Sequence, residues 1–129
     1  MEFVSIRIIT ADPKRLAAFY EAVTGIAPRW YTEDFVEIET PRAVLAIAHE
    51  RTMGQFSAGA ARAGENHSVI LELKVDDVDA IAPRVTTDVL QPPTTMPWGN
   101  RSLLFRDPDG NLVNFFTPVT DAAKKRAAR

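Results

Sequence analysis

Asn114 is the residue whose type and place most need a partner. It sits in the run Leu112-Val113-Asn114-Phe115-Phe116, a lone amide among apolar side chains. On a strand side chains alternate with period two, so Asn114 shares a face with Leu112 and Phe116. A polar group there must point at something it can bond: a cavity, a ligand or another side chain. A second group with chemical use is Trp98, between Pro97 and Gly99. A tryptophan on a loop offers a stacking surface for a flat ligand, or it covers a core edge or a subunit seam. The second tryptophan, Trp30, and Tyr31 follow Pro28, and Trp30 reads as such a cover. Asn100 and Arg101 read as solvated. The chain has no cysteine, which excludes disulfides, thiolate metal sites and cysteine nucleophiles.

The elements that carry these groups are legible from local chemistry. Leu103-Leu104-Phe105 and Leu112 to Phe116 flank Asp107-Pro108-Asp109-Gly110-Asn111. Pro108 pre-sets φ, the two aspartates can bond their own backbone, and Gly110 tolerates positive φ, so the segment predicts a β-hairpin. At the other end Phe3 to Ile9 reads as a strand, with Ser5 and Arg7 as polar members of one face. Asp12 then caps a helix with Pro13 at its first position and Leu16, Phe19, Tyr20 and Val23 at helical spacing, closed by Gly25. Trp30 to Glu39 alternates weakly, and Ala43 to Ala48 is a further strand. Thr52 to Asn66, with three glycines, reads as a linker or mobile loop. The pattern then restarts: Ser68 to Val75 as a strand, Asp77 capping a helix that Pro83 cuts short, a short strand at Asp88 to Gln91, and a rigid connection through Pro92-Pro93 and Pro97.

The two halves look like copies. Ser5 lies seven residues before Asp12, and Ile70 seven before Asp77; each half closes on an apolar strand. A unit of about 55 residues cannot easily bury one sheet face alone, so two must share a core, within a chain or exchanged between chains.

Composition bounds the rest. The 129 residues suffice for one domain, with 46% hydrophobic and 25% charged residues and a net charge of −2. No nucleic-acid footprint is expected, and Lys124-Lys125-Arg126 with Arg129 reads as a solvated, frayed tail. No apolar run approaches a membrane span and no leader pattern opens the chain, so the expectation is a soluble cytoplasmic protein with no membrane partner.

Three stretches together resemble the vicinal oxygen chelate superfamily, the glyoxalase/bleomycin-resistance/dioxygenase family. They are VSIRIITADPKRLAAFY, its repeat VILELKVDDVDAI, and the closing FRDPDGNLVNFF. The resemblance implies an α+β fold of two βαβββ modules whose curled mixed sheet forms a cleft. It assigns 1–118 to a single domain (module one 1–51, linker 52–66, module two 67–118), leaves 119–129 as a C-terminal tail, and implies a homodimer.

Family enzymes hold a divalent metal with His, Glu or Gln on the first and last strand of each module. The matching positions here are Ser5, Ala46, Ile70 and Asn114, none a good metal ligand. His49 and His67 fall off the parity of these positions and read as ordinary surface residues. The expectation is therefore no metal and no cofactor. If Ser5 and Ile70 face inward, so do Arg7 and Glu72, either as a self-satisfying ion pair or as ligand contacts. Arg7 then offers a planar fork to a carboxylate or phosphate, and Glu72 accepts from a ligand or acts as a base. Leu112 and Phe116 would line the cleft. The function expected is a metal-free small-molecule binding protein of the bleomycin-resistance type, with Arg7, Glu72, Trp98, Asn114, Ser5 and Phe116 as ligand contacts. The alternatives are a glyoxalase- or dioxygenase-like enzyme with a displaced metal site or Glu72 as base, and an accessory subunit with a closed cleft.

Overall fold

The computed structural model describes residues 1–129, which divide into two compact units, Met1–Asn66 and His67–Arg129. In the first, β1 (Ser5–Thr10) leads into α1 (Pro13–Thr24), followed by β2 (Arg29–Thr32), β3 (Phe35–Glu39) and β4 (Val44–His49). The sheet order is β1-β4-β3-β2, with β1 parallel to β4 and the other pairs antiparallel. The helix forms where its caps dictate. The Asp12 carboxylate accepts from the Arg15 N–H at 3.1 Å, and Gly25, at φ 72°, donates its N–H to the Glu21 carbonyl at 2.9 Å. Leu16, Ala17, Tyr20 and Val23 are buried on the face that meets β3 and β4, whose Val36, Ile38 and Ile47 are buried too.

The second unit repeats the plan. β5 (Ile70–Lys74) leads into α2 (Val78–Ile81), then β6 (Val89–Thr95), β7 (Asn100–Arg106) and β8 (Leu112–Pro118), with sheet order β5-β8-β7-β6 and β5 parallel to β8. The Asp77 carboxylate accepts from the N–H groups of Asp79 and Ala80, and Thr117 Oγ1 accepts from that of Val78. Pro83 ends α2 after one turn, and the chain continues as a 3-10 turn, Ala82–Arg84. The fold is thus α+β, two βαβββ modules with mixed sheets, as the resemblance implied. The β7–β8 turn organises itself around buried Asp107. Its carboxylate accepts from the Asp109 N–H, the Asn111 N–H and Asn111 Nδ2, each at 2.9 Å, and Gly110 takes φ 86°.

Four segments depart from the sequence reading. Trp30 to Glu39 folds as two strands, because Thr32 Oγ1 accepts from the Asp34 N–H and reverses the chain at Glu33-Asp34. The linker opens with a 3-10 turn, Glu50–Gln55, capped by His49 Nδ1 accepting from the Arg51 N–H at 3.0 Å. The short strand and rigid connection expected at 88–97 are one seven-residue strand, β6, running through Pro92-Pro93. It lies at the sheet edge with its register shifted on both sides of Gln91, where missing proline donors cost no ladder bonds. The expected frayed tail is instead α3 (Asp121–Ala127). Thr120 caps it, Ala123 is buried, and Arg126 donates to the Trp98 carbonyl at 2.8 Å. Lys124, Lys125 and Arg126 fall in its last turn, the end that favours positive charge.

Candidate functional site: the sheet faces opposite the helices

In unit two, register alternation puts Leu71, Leu73, Val113, Phe115, Leu103 and Phe105 on the side of α2. Phe105 and Phe115 meet there edge to face, 5.0 Å between centroids. The opposite face carries the row Glu72–Asn114–Leu104–Gln91, one residue from each strand in register. The next row is Lys74–Phe116–Ser102–Thr94. So the structure brings Glu72, Asn114 and Phe116 onto one face, as the strand parity required. Ser102 lies diagonal to Asn114 and is 4% exposed. Asn114 Oδ1 and Ser102 Oγ are both buried with no hydrogen-bond partner. Each unmatched buried atom costs on the order of 1–3 kcal/mol, so this face holds two polar atoms that the unit leaves unsatisfied. Glu72 is exposed and forms no ion pair within its unit.

Ser102 was not legible in the sequence, because it follows Asn100 and Arg101 and reads as the polar end of its strand; the register alone places it on the Asn114 face. Trp98 is 55% exposed, in the β6–β7 turn. It is not beside Asn114. Asn100 pairs with Pro118, four residues past Asn114, which at a strand's rise is on the order of 13 Å away. The loop around Trp98 is held by α3 rather than by the row.

In unit one the face opposite α1 carries Ser5 and Arg7 on β1, Ala46 on β4, Phe35 and Glu37 on β3, and Arg29 and Tyr31 on β2. Arg7, Ala46, Glu37 and Arg29 form one row in register. The Arg7 guanidinium carbon lies 5.2 Å from the Phe35 ring centroid and 5.4 Å from that of Phe56. The Tyr31 hydroxyl bonds to the Glu37 carboxylate, and that bond, with some desolvation, pushes the tyrosine above its ordinary pKa. Phe35 and Phe56 were not among the expected contacts, and no spacing signal could have placed Phe56, which lies in the glycine-bearing segment. His49 caps the 3-10 turn and His67 is exposed.

The architecture is widely shared among solved structures. A protein of unknown function from Agrobacterium tumefaciens is 26% identical, with TM-score 0.77 over 91% of this chain and 94% of that one. A glyoxalase/bleomycin resistance protein/dioxygenase family enzyme from Burkholderia phytofirmans gives TM-score 0.77 at 17% identity, covering 89% and 97%. A glyoxalase/bleomycin resistance protein/dioxygenase from Nocardioides gives 0.73 at 18%, covering 94% and 85%. No curated protein matches the chain. Residues 2–115 match the profile of the Glyoxalase/Bleomycin resistance protein/Dioxygenase superfamily, and the chain belongs to that family.

Membership raises the question of a metal. The positions that match the family's ligands hold a hydroxyl, a methyl, a branched alkyl and an amide, at Ser5, Ala46, Ile70 and Asn114. No group of three or more His, Asp or Glu side chains is arranged to hold an ion. A divalent site of this family needs imidazole or carboxylate donors in number, and this donor set does not fit one.

Proposed function

We propose that this protein binds a small organic molecule directly through protein side chains, in the manner of the bleomycin-resistance branch, without a metal. The observation that carries the reading is the pair of buried, unmatched oxygens Asn114 Oδ1 and Ser102 Oγ beside Glu72. At the closing-strand position where family enzymes carry a metal-binding carboxylate, this chain carries an amide that can donate or accept but grips a divalent ion poorly. Glu72 and Asn114 would hold polar groups of the ligand, and Phe116 would pack against its apolar part. Ser5 and Arg7 offer contacts on the unit-one face, and Trp98 offers a stacking surface at its loop.

A ligand that binds the native state raises the melting temperature, and a metal that finds no site does not. Mn²⁺, Ni²⁺ and Zn²⁺ are therefore expected to leave the melting curve unmoved, whereas members of a small-molecule panel raise it in the wild type and not in Asn114→Ala. Saturable stabilisation by micromolar metal, or a panel with no binder, defeats the reading.

A further inference from the structure

We propose that the unit-one face selects a planar ligand bearing a carboxylate, and that Arg7 is the group that recognises it. The inference rests on the small-molecule reading above and adds the ligand's charge and shape. It comes from a ladder of alternating cations and rings. Arg29 lies over Tyr31 at 5.1 Å, Tyr31 packs on Phe35 at 5.8 Å, Phe35 on Arg7 at 5.2 Å, and Arg7 on Phe56 at 5.4 Å. The two cations differ in one respect. Arg29 is matched by Glu39 at 3.3 Å, whereas Arg7 has no carboxylate within 4.0 Å and donates no hydrogen bond in its own unit. The acid in its row, Glu37, is two strands away.

Two rings within cation–π range restrain the guanidinium, and no protein acceptor takes its N–H groups. A carboxylate can take those groups with two parallel bonds, and a fork already restrained loses little freedom on binding. Phe56 is 66% exposed, an aromatic face ready to cover a ring. An acid on a flat apolar body satisfies both features at once.

The test compares 2-naphthoate with its neutral isostere 2-naphthamide. Binding is measured by titration calorimetry and by the shift of the Arg7 Nε–H resonance. The acid is expected to bind about tenfold or more tightly than the amide, since a charge-assisted bidentate contact outweighs a neutral one. Arg7→Met removes that gap, Arg7→Gln serves if the first variant unfolds, and Lys14→Met, at an exposed cation on α1, leaves the gap in place. Equal affinities, a gap that survives loss of Arg7, or preference for phenyl phosphate overturns the carboxylate assignment. If neither naphthalene probe binds while panel compounds still bind in an Asn114-dependent way, the carboxylate assignment falls and the small-molecule reading stands. If nothing binds at all, both fall.

Discussion

At the scale of single residues, the candidate site is built from polar atoms the fold leaves without partners. Asn114 Oδ1 is the clearest, because an apolar residue of similar size would pack there with no desolvation cost. Asn114→Leu is therefore expected to raise the stability of the free protein by roughly 1 kcal/mol, a few degrees in Tm, while removing ligand binding. Urea unfolding and the ligand panel together check it; a loss of stability would mean that the amide is satisfied in solution. The contrast with Asp107 is instructive. That carboxylate belongs to a more deeply buried residue, 4% exposed, and three N–H bonds surround it, so it is structural. The partners mark the difference in role.

At the scale of elements, what was legible in the sequence was what local chemistry decides. Asp12, Pro13 and Gly25 delimit α1 as their capping roles require, and the Asp107–Asn111 turn follows from its own residues. Elements that depend on distant partners were not legible. Thr120 to Arg129 carries helix signals of its own, a threonine cap and a run of alanine, lysine and arginine, but a helix of seven residues is marginal without a seat. The seat comes from afar: Gly99 accepts the N–H groups of Val119 and Thr120, and Ala123 is buried. A Cβ at Gly99 would lie 2.0 Å from Thr120 Oγ1, at a φ of 92° that L side chains rarely adopt. Gly99→Ala is thus expected to cost on the order of 1–3 kcal/mol and to unseat α3. Faster amide exchange at Ala123 and Lys124, with the β8 amides unchanged, is the signature; unchanged exchange would refute it. The site shows the same division. Asn114 was legible from parity, whereas Phe56 reaches Arg7 from a segment with no periodicity to read.

At the scale of the molecule, the exposed ion pairs set a mild pH dependence. Hydrogen bonds from Arg51 and Arg101 hold Asp34 and Asp79 below the usual carboxylate range. The unfolded chain then binds protons more readily, so this stabilisation is present above the ordinary aspartate value near pH 4 and drains away as pH falls through the folded values. Tyr31 acts in the opposite sense. Its raised pKa gives a contribution present below the ordinary tyrosine value near 10 and lost as pH climbs past the folded one. Arg101→Ala is expected to lose less stability than wild type between about pH 7 and pH 3, and high salt should narrow the difference. An unchanged acid slope would show that the Asp79 pair contributes nothing in solution.

The two prolines of β6 have a bearing on how this protein behaves when concentrated. A strand at the rim of a sheet normally offers a ladder of free donors to any passing chain, and polymerisation can start there. Pro92 and Pro93 carry no N–H group, which breaks the run of donors along that rim, and the shifted register on either side of Gln91 spoils the spacing a recruit would need. Replacing both prolines by valine is therefore expected to raise light scattering in concentrated solution, and unchanged scattering would show that this rim does not govern association.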